Sequence, residues 1–220
     1  MADAATTDVV TLEILDRWVR LGAARLDAEA ERLTALDSAI GDADHGTNMH
    51  RGFAAIVAKL DAAPPQTLAE FFKAVGMTLV SKVGGASGSL YGTLFLDMGK
   101  NAPDGTSMSA AEWNRVLAAG VAGVVGRGHA EPGDKTMIDA FTPAVAALDD
   151  AVAHGASLAD AAAAAATAAE RGSADTEPLV ARKGRASYLG ERSVGHIDPG
   201  SASTALLLRA FADALAGEAA

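Results

Sequence analysis

The sequence contains no cysteine, which excludes disulfides, thiolate nucleophiles and cysteine-based zinc sites. Aromatic residues make up only 5% of its 220 residues, and much of its 50% apolar content is alanine. Chains rich in alanine and poor in aromatic residues favour closely packed helices, because alanine loses no side-chain entropy in a helix. A chain of this length can bury a sizeable core, and we expect a single domain over residues 1–220.

Long apolar runs and excess positive charge are also missing. No run of about 18 apolar residues occurs, so no segment is predicted to span a membrane. The N-terminal segment has neither a basic start nor a long apolar stretch, and we expect no signal peptide and a cytoplasmic location. The net charge of −10 argues against nucleic-acid partners and anionic membrane surfaces. It does not exclude an anionic small ligand, because a bound metal can override the overall charge.

Apolar residues recur at helical spacing along most of the chain. The stripes indicate about eight helices and no convincing strand. Capping boxes are predicted at Thr67–Glu70 and Ser109–Glu112, and Gly172 is predicted to end an alanine-rich helix. Because the connections are mostly short, the predicted fold class is all-α, a barrel or bundle of about eight antiparallel helices.

One long segment, residues 176–203, is neither apolar-periodic nor low in complexity. It contains ARKGRASYLGERSVGHIDPGSAS, which combines several cations with several glycines. Loops longer than about 12–15 residues are usually functional or disordered. This composition favours a loop that caps a binding site over a linker or a merely solvated loop.

The stretch LDSAIGDADHGTNMHRGF gathers three acids, Asp37, Asp42 and Asp44, with Gly41 and Gly46 around them. Carboxylates are ligands that Mg²⁺ prefers, and the ion usually bridges them to substrate phosphates. Two residues turn a regular helix by about 200°, so Asp42 and Asp44 can converge only from a loop. Three carboxylates around one point repel each other without a cation. We therefore favour a metal site over the alternative that these acids cap the next helix.

Four connections rich in glycine and small polar residues, 37–48, 84–92, 126–137 and 176–203, each precede a helix. Helix N-termini expose unpaired N–H groups, and glycine lets the backbone approach an anion, so several such ends together predict a phosphate site. Gly128–Thr136 resembles a P-loop. It has one residue too many before its lysine and no strand before it, so we reject that assignment.

Taken together, LDSAIGDADHGTNMHRGF, GGASGSLYGT, EPGDKTMID and ARKGRASYLGERSVGHIDPG resemble the nucleotide-binding L subunit of dihydroxyacetone kinase. The four motifs run in the family's order and cover nearly the whole chain. The resemblance implies a barrel of eight antiparallel helices that holds ADP or ATP at one end through two Mg²⁺ ions. It places the metal ligands at the three acids Asp37, Asp42 and Asp44, and it leaves catalytic side chains unknown, with the chemistry acting through the metal ligands.

The resemblance also implies the nucleotide contacts. Gly128 and Met137 are expected near the adenine, and Arg185 and Asp198–Ala202 belong to the capping loop. The roles of four further cations, Lys135, Arg182, Lys183 and Arg192, stay open between phosphate contact, partner contact and solvation. The full set of expected nucleotide contacts is His45, Gly46, Thr47, Asn48, Ala86, Ser87, Gly128, Met137, Arg185, Asp198, Gly200, Ser201 and Ala202.

The implied activity needs partners. In this family the L subunit presents the γ-phosphate to dihydroxyacetone, which a separate K subunit holds covalently through a histidine. In the phosphotransferase-system form, ADP stays bound and a phosphocarrier M subunit rephosphorylates it in place, and we expect this form here. A separate chain favours a subunit over the fused enzyme but leaves the phosphate source open. The alternatives are a subunit of an ATP-dependent kinase for another short ketose, such as erythrulose, and a nucleotide-loaded regulatory module that acts on a transcription regulator. The sequence leaves a homodimer open.

Two positions depart from the family pattern. Ser89 stands where the family often has proline, and Ala43 stands where many members have glycine. We expect the first change to mark a subfamily and the second to be neutral.

Overall fold

The computed structural model describes residues 8–217 and is almost entirely helical. Within this range the chain forms nine α-helices, one more than the apolar stripes indicate, and a 3₁₀ segment, Arg185–Ser193, that kinks at Gly190. The helices are α1 (Leu12–Ala28), α2 (Ala30–Ile40), α3 (His45–Ala62), α4 (Leu68–Lys82), α5 (Gly85–Asn101), α6 (Ala110–Gly128), α7 (Ile138–Ala153), α8 (Leu158–Ala174) and α9 (Pro199–Ala216).

Eight of these helices close a ring. Helix α1 packs on α3, each helix from α3 to α8 packs on the next, and α9 packs back on α1. Because helices α3 to α9 are consecutive in the chain as well as in the ring, they alternate in direction. The N-termini of α3, α5, α7 and α9 therefore lie at one end. The all-α prediction is confirmed, and no helix within residues 8–217 is long and apolar enough to cross a membrane.

Helix α2 was not predicted, because its pattern is weak. Only Leu33, Asp37 and Ile40 are buried in it, and one of these three is charged. It packs against α3 and α9 beside the ring, and it carries Asp37 towards the end where the four N-termini meet.

Apolar residues fill the interior of the ring in one continuous cluster that runs from Val10 to Ala214. Trp113 stacks on Phe211 with ring centroids 4.0 Å apart, and Trp18 meets both of them edge-on. Trp18 also donates from its indole nitrogen to the Leu207 carbonyl at 2.7 Å. One domain over residues 1–220 stays a prediction, since residues 1–7 and 218–220 lie outside the described range.

Two short strands, Val9–Thr11 and Ser107–Ser109, pair antiparallel just before α1 and α6. Three residues each are too few to show an alternating pattern, so the sequence did not predict them. The predicted capping box at Ser109–Glu112 is present. At Thr67–Glu70 only half of the box forms, because the Glu70 carboxylate accepts from the Gln66 N–H instead of the Thr67 N–H.

The prediction that Gly172 ends α8 is wrong, since the helix continues to Ala174. Gly172 instead lies where α8 crosses α7. A Cβ atom there would be 2.2 Å from the Asp139 carbonyl oxygen and 2.8 Å from Cγ of Pro143. Pro143 has no N–H that could donate to the Asp139 carbonyl oxygen within α7. Its ring leaves room at position 172 of α8 only for glycine.

We expect Gly172→Ala to lower the free energy of unfolding by about 1–3 kcal/mol, because the added methyl group must separate two packed helices. Gly126→Ala is the matched control. Gly126 also lies within a helix, but a Cβ there meets no atom within 4 Å, so alanine should be neutral or stabilise by up to about 1 kcal/mol. Urea unfolding measures both changes, and equal effects would contradict the close crossing of α7 and α8.

Candidate functional site

A cavity of about 560 Å³ opens at the end of the ring where α3, α5, α7 and α9 begin. Cavities of this size are typical of small-molecule sites. The four glycine-rich connections predicted from the sequence all contribute to its wall. Its lining includes eleven of the predicted site residues: Asp37, Asp42, Asp44, His45, Ala86, Ser87, Gly128, Met137, Arg185, Asp198 and Gly200.

The three predicted metal ligands lie together at one side of the cavity. One carboxylate oxygen from each of Asp37, Asp42 and Asp44 lies within 4.8 Å of the other two. Asp37 is buried, whereas Asp42 and Asp44 are exposed. Three oxygen donors this close together fit Mg²⁺. Without a cation the three carboxylates repel one another.

Asp37 also performs the capping role that was weighed as the alternative. Its Oδ2 atom accepts from the backbone N–H of Asp44 at 2.8 Å and from that of His45 at 3.1 Å, at the start of α3. Asp44 itself occupies the N-cap position but makes no side-chain cap bond. Capping therefore uses one acid of the three, and it fixes the loop so that the other two carboxylates face the cavity.

The acidic loop turns tightly, and glycine is required at both of its ends. A Cβ atom on Gly41 would be 2.0 Å from Oδ1 of Asp37, and one on Gly46 would be 2.0 Å from the Ala30 carbonyl oxygen. Ala43, between them, has a φ of 62°, in the left-handed region. That conformation costs a residue with a Cβ atom about 1 kcal/mol relative to glycine. The expectation that Ala43 is a neutral replacement is therefore wrong.

A buried chain of hydrogen bonds ties together the N-termini of three helices. The imidazole of His45, on α3, bonds Ser87 Oγ of α5 at 3.1 Å and Ser203 Oγ of α9 at 2.9 Å. The Tyr91 hydroxyl, also on α5, bonds both Ser203 Oγ and Thr204 Oγ1 at 2.8 Å. These bonds hold the first turns of α3, α5 and α9 in a fixed arrangement around the cavity.

Negative charge at the site lies on its carboxylates, not on the hydrogen-bonded chain. Burial lowers the pKa of His45, although the Asp37 and Asp44 carboxylates act in the opposite direction, so the imidazole is neutral at neutral pH. Burial likewise raises the pKa of the Tyr91 hydroxyl. Burial raises the pKa of Asp198, the N-cap of α9, to about 7. The hydrogen-bonded chain is thus uncharged, and the acidic cluster is where a cation would be bound.

Five predicted nucleotide contacts do not line the cavity: Gly46, Thr47, Asn48, Ser201 and Ala202. Gly46 faces α2, and Asn48 accepts from the Arg51 guanidinium. The Ser201 hydroxyl is fully buried and bonds Ser173. All five lie in the first turns of α3 and α9. The backbone N–H groups of Asn48, Ser201 and Ala202 already donate to Asp44 or Asp198, so these three are not available to a bound anion.

The predicted capping loop covers one side of the cavity. The Arg185 guanidinium, from its 3₁₀ segment, lies 3.0 Å from the Asp42 carboxylate. Ala181 and Ala186 of the loop form a small apolar cluster with Ile40 at the end of α2. The loop thereby places a cation beside the predicted metal ligands.

The four cations left open by the sequence occupy different environments. Lys135 is 1% exposed, and its ammonium donates to three backbone carbonyls of residues 176–179. Lys135 also lines the cavity, as does Lys183, whereas Arg182 and Arg192 are exposed. Lys135 is thus neither solvated nor free to bind a phosphate.

Sequence reasoning did not single out Tyr91, Ser203 or Thr204 as site residues. Tyr91 lies inside the quoted motif GGASGSLYGT, and a tyrosine in a glycine-rich segment was the available signal. Ser203 and Thr204 follow Ala202 directly, but only the fold shows that they meet Tyr91.

Comparison with known proteins places this site in a family. Residues 39–213 match the model of the DAK2 domain. The ADP-binding subunit DhaL of the PEP-dependent dihydroxyacetone kinase of Escherichia coli is 46% identical over 184 residues, 84% of this chain and 88% of the relative. The ADP-binding subunit DhaL of the PTS-dependent dihydroxyacetone kinase of Lactococcus lactis is 38% identical, over 94% of this chain and 100% of the relative.

A solved structure has the same fold. The dihydroxyacetone kinase of C. freundii, in complex with AMP-PNP and Mg²⁺, superposes with a TM-score of 0.71 and 27% sequence identity. The match covers 97% of this chain and 36% of that longer chain. From the matched domain and from relatives aligned over nearly their whole length, the chain belongs to the DAK2 domain family, together with the ADP-binding DhaL subunits of dihydroxyacetone kinases.

Proposed function

We propose that this chain is the nucleotide-binding subunit of a dihydroxyacetone kinase. The observation that carries the proposal is the cluster of Asp37, Asp42 and Asp44 at one side of a cavity walled by four helix N-termini. Carboxylates for Mg²⁺ and N–H groups for phosphates are the two elements that a magnesium–nucleotide complex needs. The AMP-PNP and Mg²⁺ bound by the C. freundii kinase support this assignment.

The three carboxylates would hold the metal, and we propose two Mg²⁺ ions. Bound Mg²⁺ neutralises negative charge on the β- and γ-phosphates and so assists phosphoryl transfer. Asp37 holds the acidic loop in place through the backbone N–H groups of Asp44 and His45. Arg185, already paired with Asp42, adds positive charge on the cavity side from which the capping loop approaches.

The remaining predicted contacts divide between the two halves of a nucleotide. The first turns of α3 and α5, with His45 and Ser87, would receive the phosphates, because both residues line the cavity and the positive dipole ends of both helices lie there. Gly128 and Met137 line another part of the wall, and we assign the adenine to that part. Such a site works by positioning and charge neutralisation, which is what phosphoryl transfer requires of the protein.

The relatives' names support a particular phosphate source. Those of E. coli and L. lactis are subunits of PEP- and PTS-dependent kinases. We therefore propose that a K subunit supplies dihydroxyacetone, that ADP stays bound as a coenzyme, and that a phosphocarrier M subunit rephosphorylates it in place. A cytoplasmic location and a homodimer stay predictions.

We expect Asp42→Asn to weaken Mg·ADP binding at least tenfold, because one negatively charged ligand of the metal is lost. The fold should persist. Asp42 is exposed, and removing one of three neighbouring carboxylates relieves repulsion. Isothermal titration calorimetry measures the affinity, and thermal unfolding without ligand measures the stability.

Asp104→Asn is the matched control, since Asp104 is an exposed loop aspartate remote from the cavity lining. It should leave the Mg·ADP affinity unchanged. Wild-type affinity in the Asp42→Asn protein would remove Asp42 from the set of metal ligands.

The nucleotide content of the purified protein tests the coenzyme proposal. We expect protein purified in Mg²⁺ without added nucleotide to release about one equivalent of ADP on denaturation, even after long dialysis. Chromatography of the released nucleotide measures this. An empty protein that binds Mg·ATP reversibly would indicate an ATP-dependent kinase subunit instead. An empty protein whose unfolding temperature is unchanged by saturating Mg·ADP would contradict nucleotide binding itself, because a ligand of the folded state must stabilise it.

A further inference from the structure

Lys135 is a buried cation whose role the predicted function leaves unexplained. It lies in the connection between α6 and α7, has a φ of 62° and is 1% exposed. Its Nζ atom donates to the carbonyl oxygens of Thr176 at 2.9 Å, Leu179 at 3.1 Å and Glu177 at 3.3 Å. A lysine ammonium has three N–H donors, so every donor is used and none remains for a nucleotide phosphate.

The carbonyls that Lys135 binds belong to the start of the capping loop. They lie just after the C-terminal end of α8 at Ala174, at the negative end of the helix dipole. A buried cation is stable only where such acceptors surround it. The three hydrogen bonds of Lys135 therefore hold the first residues of the loop close to the buried ammonium, directly after α8.

Further bonds extend this attachment. The Arg182 N–H donates to the carbonyl oxygen of Asp134, the residue before Lys135, at 3.0 Å. The Asp198 N–H donates to Thr176 Oγ1 at 2.9 Å, which brings the far end of the loop back to its start. The base of the loop is thus held at both ends around the Lys135 ammonium.

The tip of the loop has weaker attachments. Arg185 and Asp42 pair at 3.0 Å, but their side chains are 67% and 38% exposed, and ion pairs at such exposure contribute little. Tyr188 is 86% exposed. The position of Arg185 over the cavity therefore depends on how firmly the base of the loop is held.

We propose that Lys135 is a positioning residue that holds the capping loop over the cavity through the backbone carbonyls of residues 176–179, without donating a hydrogen bond to the nucleotide. Its effect on nucleotide binding rests on the function proposed above. Its effect on the order of the loop does not, and the two can be measured separately.

Limited trypsin digestion of the nucleotide-free full-length chain tests the loop. Arg182, Arg185 and Arg192 are exposed cleavage sites inside it. We expect Lys135→Met to speed cleavage in residues 182–192 at least tenfold, because cleavage follows the population of the opened loop. Mass spectrometry of the fragments locates the cuts. Lys73→Met, which removes an exposed lysine of α4, is the control and should leave these rates unchanged.

A rescue experiment separates positioning from general destabilisation. Lys135→Ala should show the same rapid cleavage, and added propylammonium, which can occupy the vacated place of the side chain, should slow cleavage in the loop selectively. Cleavage in residues 182–192 that stays at the wild-type rate in both variants would overturn the proposal. So would cleavage that rises equally throughout the chain and is not reversed by propylammonium.

Amide hydrogen exchange in the wild-type protein gives a test that needs no variant. The proposal requires the N–H groups of residues 179–182 to exchange at least tenfold more slowly than those of residues 184–190. Equal exchange would overturn it.

The link to the nucleotide is measured last. Lys135→Met should speed dissociation of Mg·ADP at least tenfold, with a smaller change in the association rate, because the loop covers the bound ligand. If wild-type protein binds no nucleotide, the proposed function fails, and the trypsin and exchange results still decide the role of Lys135. An unchanged dissociation rate with a loosened loop would overturn its positioning role in binding.

Discussion

The main constraint on this structure is the electrostatic repulsion among three carboxylates. One oxygen atom of each lies within 4.8 Å of the other two. Like charges at this distance are tolerated when a cation is bound, so the proposed Mg²⁺ would relieve the repulsion within the cluster. Asp37 links the acidic cluster to the secondary structure. It is buried on α2, and its bonds to the first N–H groups of α3 set the conformation of the acidic loop. The same side chain thus belongs to the secondary structure and to the site, and α2 is needed for both.

The rest of the site follows from the direction of the helices. In a ring of consecutive antiparallel helices every second N-terminus lies at the same end, so the N-terminal ends of α3, α5, α7 and α9 surround one cavity. The alternating direction of the helices does not by itself fix the distances between their N-terminal ends. The uncharged chain through His45, Ser203 and Tyr91 does so for three of them. A neutral imidazole suits this place, because it can donate from one nitrogen and accept at the other.

Much of this architecture could be predicted from local patterns. The apolar stripes predicted eight of the nine helices within residues 8–217, and the spacing of the acids in a glycine-flanked loop predicted that their three carboxylates lie together. The misses have tertiary causes. Helix α2 buries a carboxylate in place of an apolar residue, which weakens its stripe. Gly172 has the sequence context of a helix end, yet it is required by the crossing with α7. Ser203 and Thr204 gain their role only by meeting Tyr91, which is more than 100 residues away in the chain.

Lys135 shows why the sequence could not assign the cations. Its motif resembles a P-loop, and phosphate contact was one of the three roles that the sequence left open for it. What decides its role is how many of its three donors are already used, and this depends on carbonyls some 40 residues further along the chain. Arg185 shows the converse. Its guanidinium is exposed and its only ion pair within residues 8–217 is with Asp42, so it retains donors that can turn towards a ligand. The buried Lys135 therefore sets the position of the loop, and the exposed Arg185 on that loop pairs with the Asp42 carboxylate at the site.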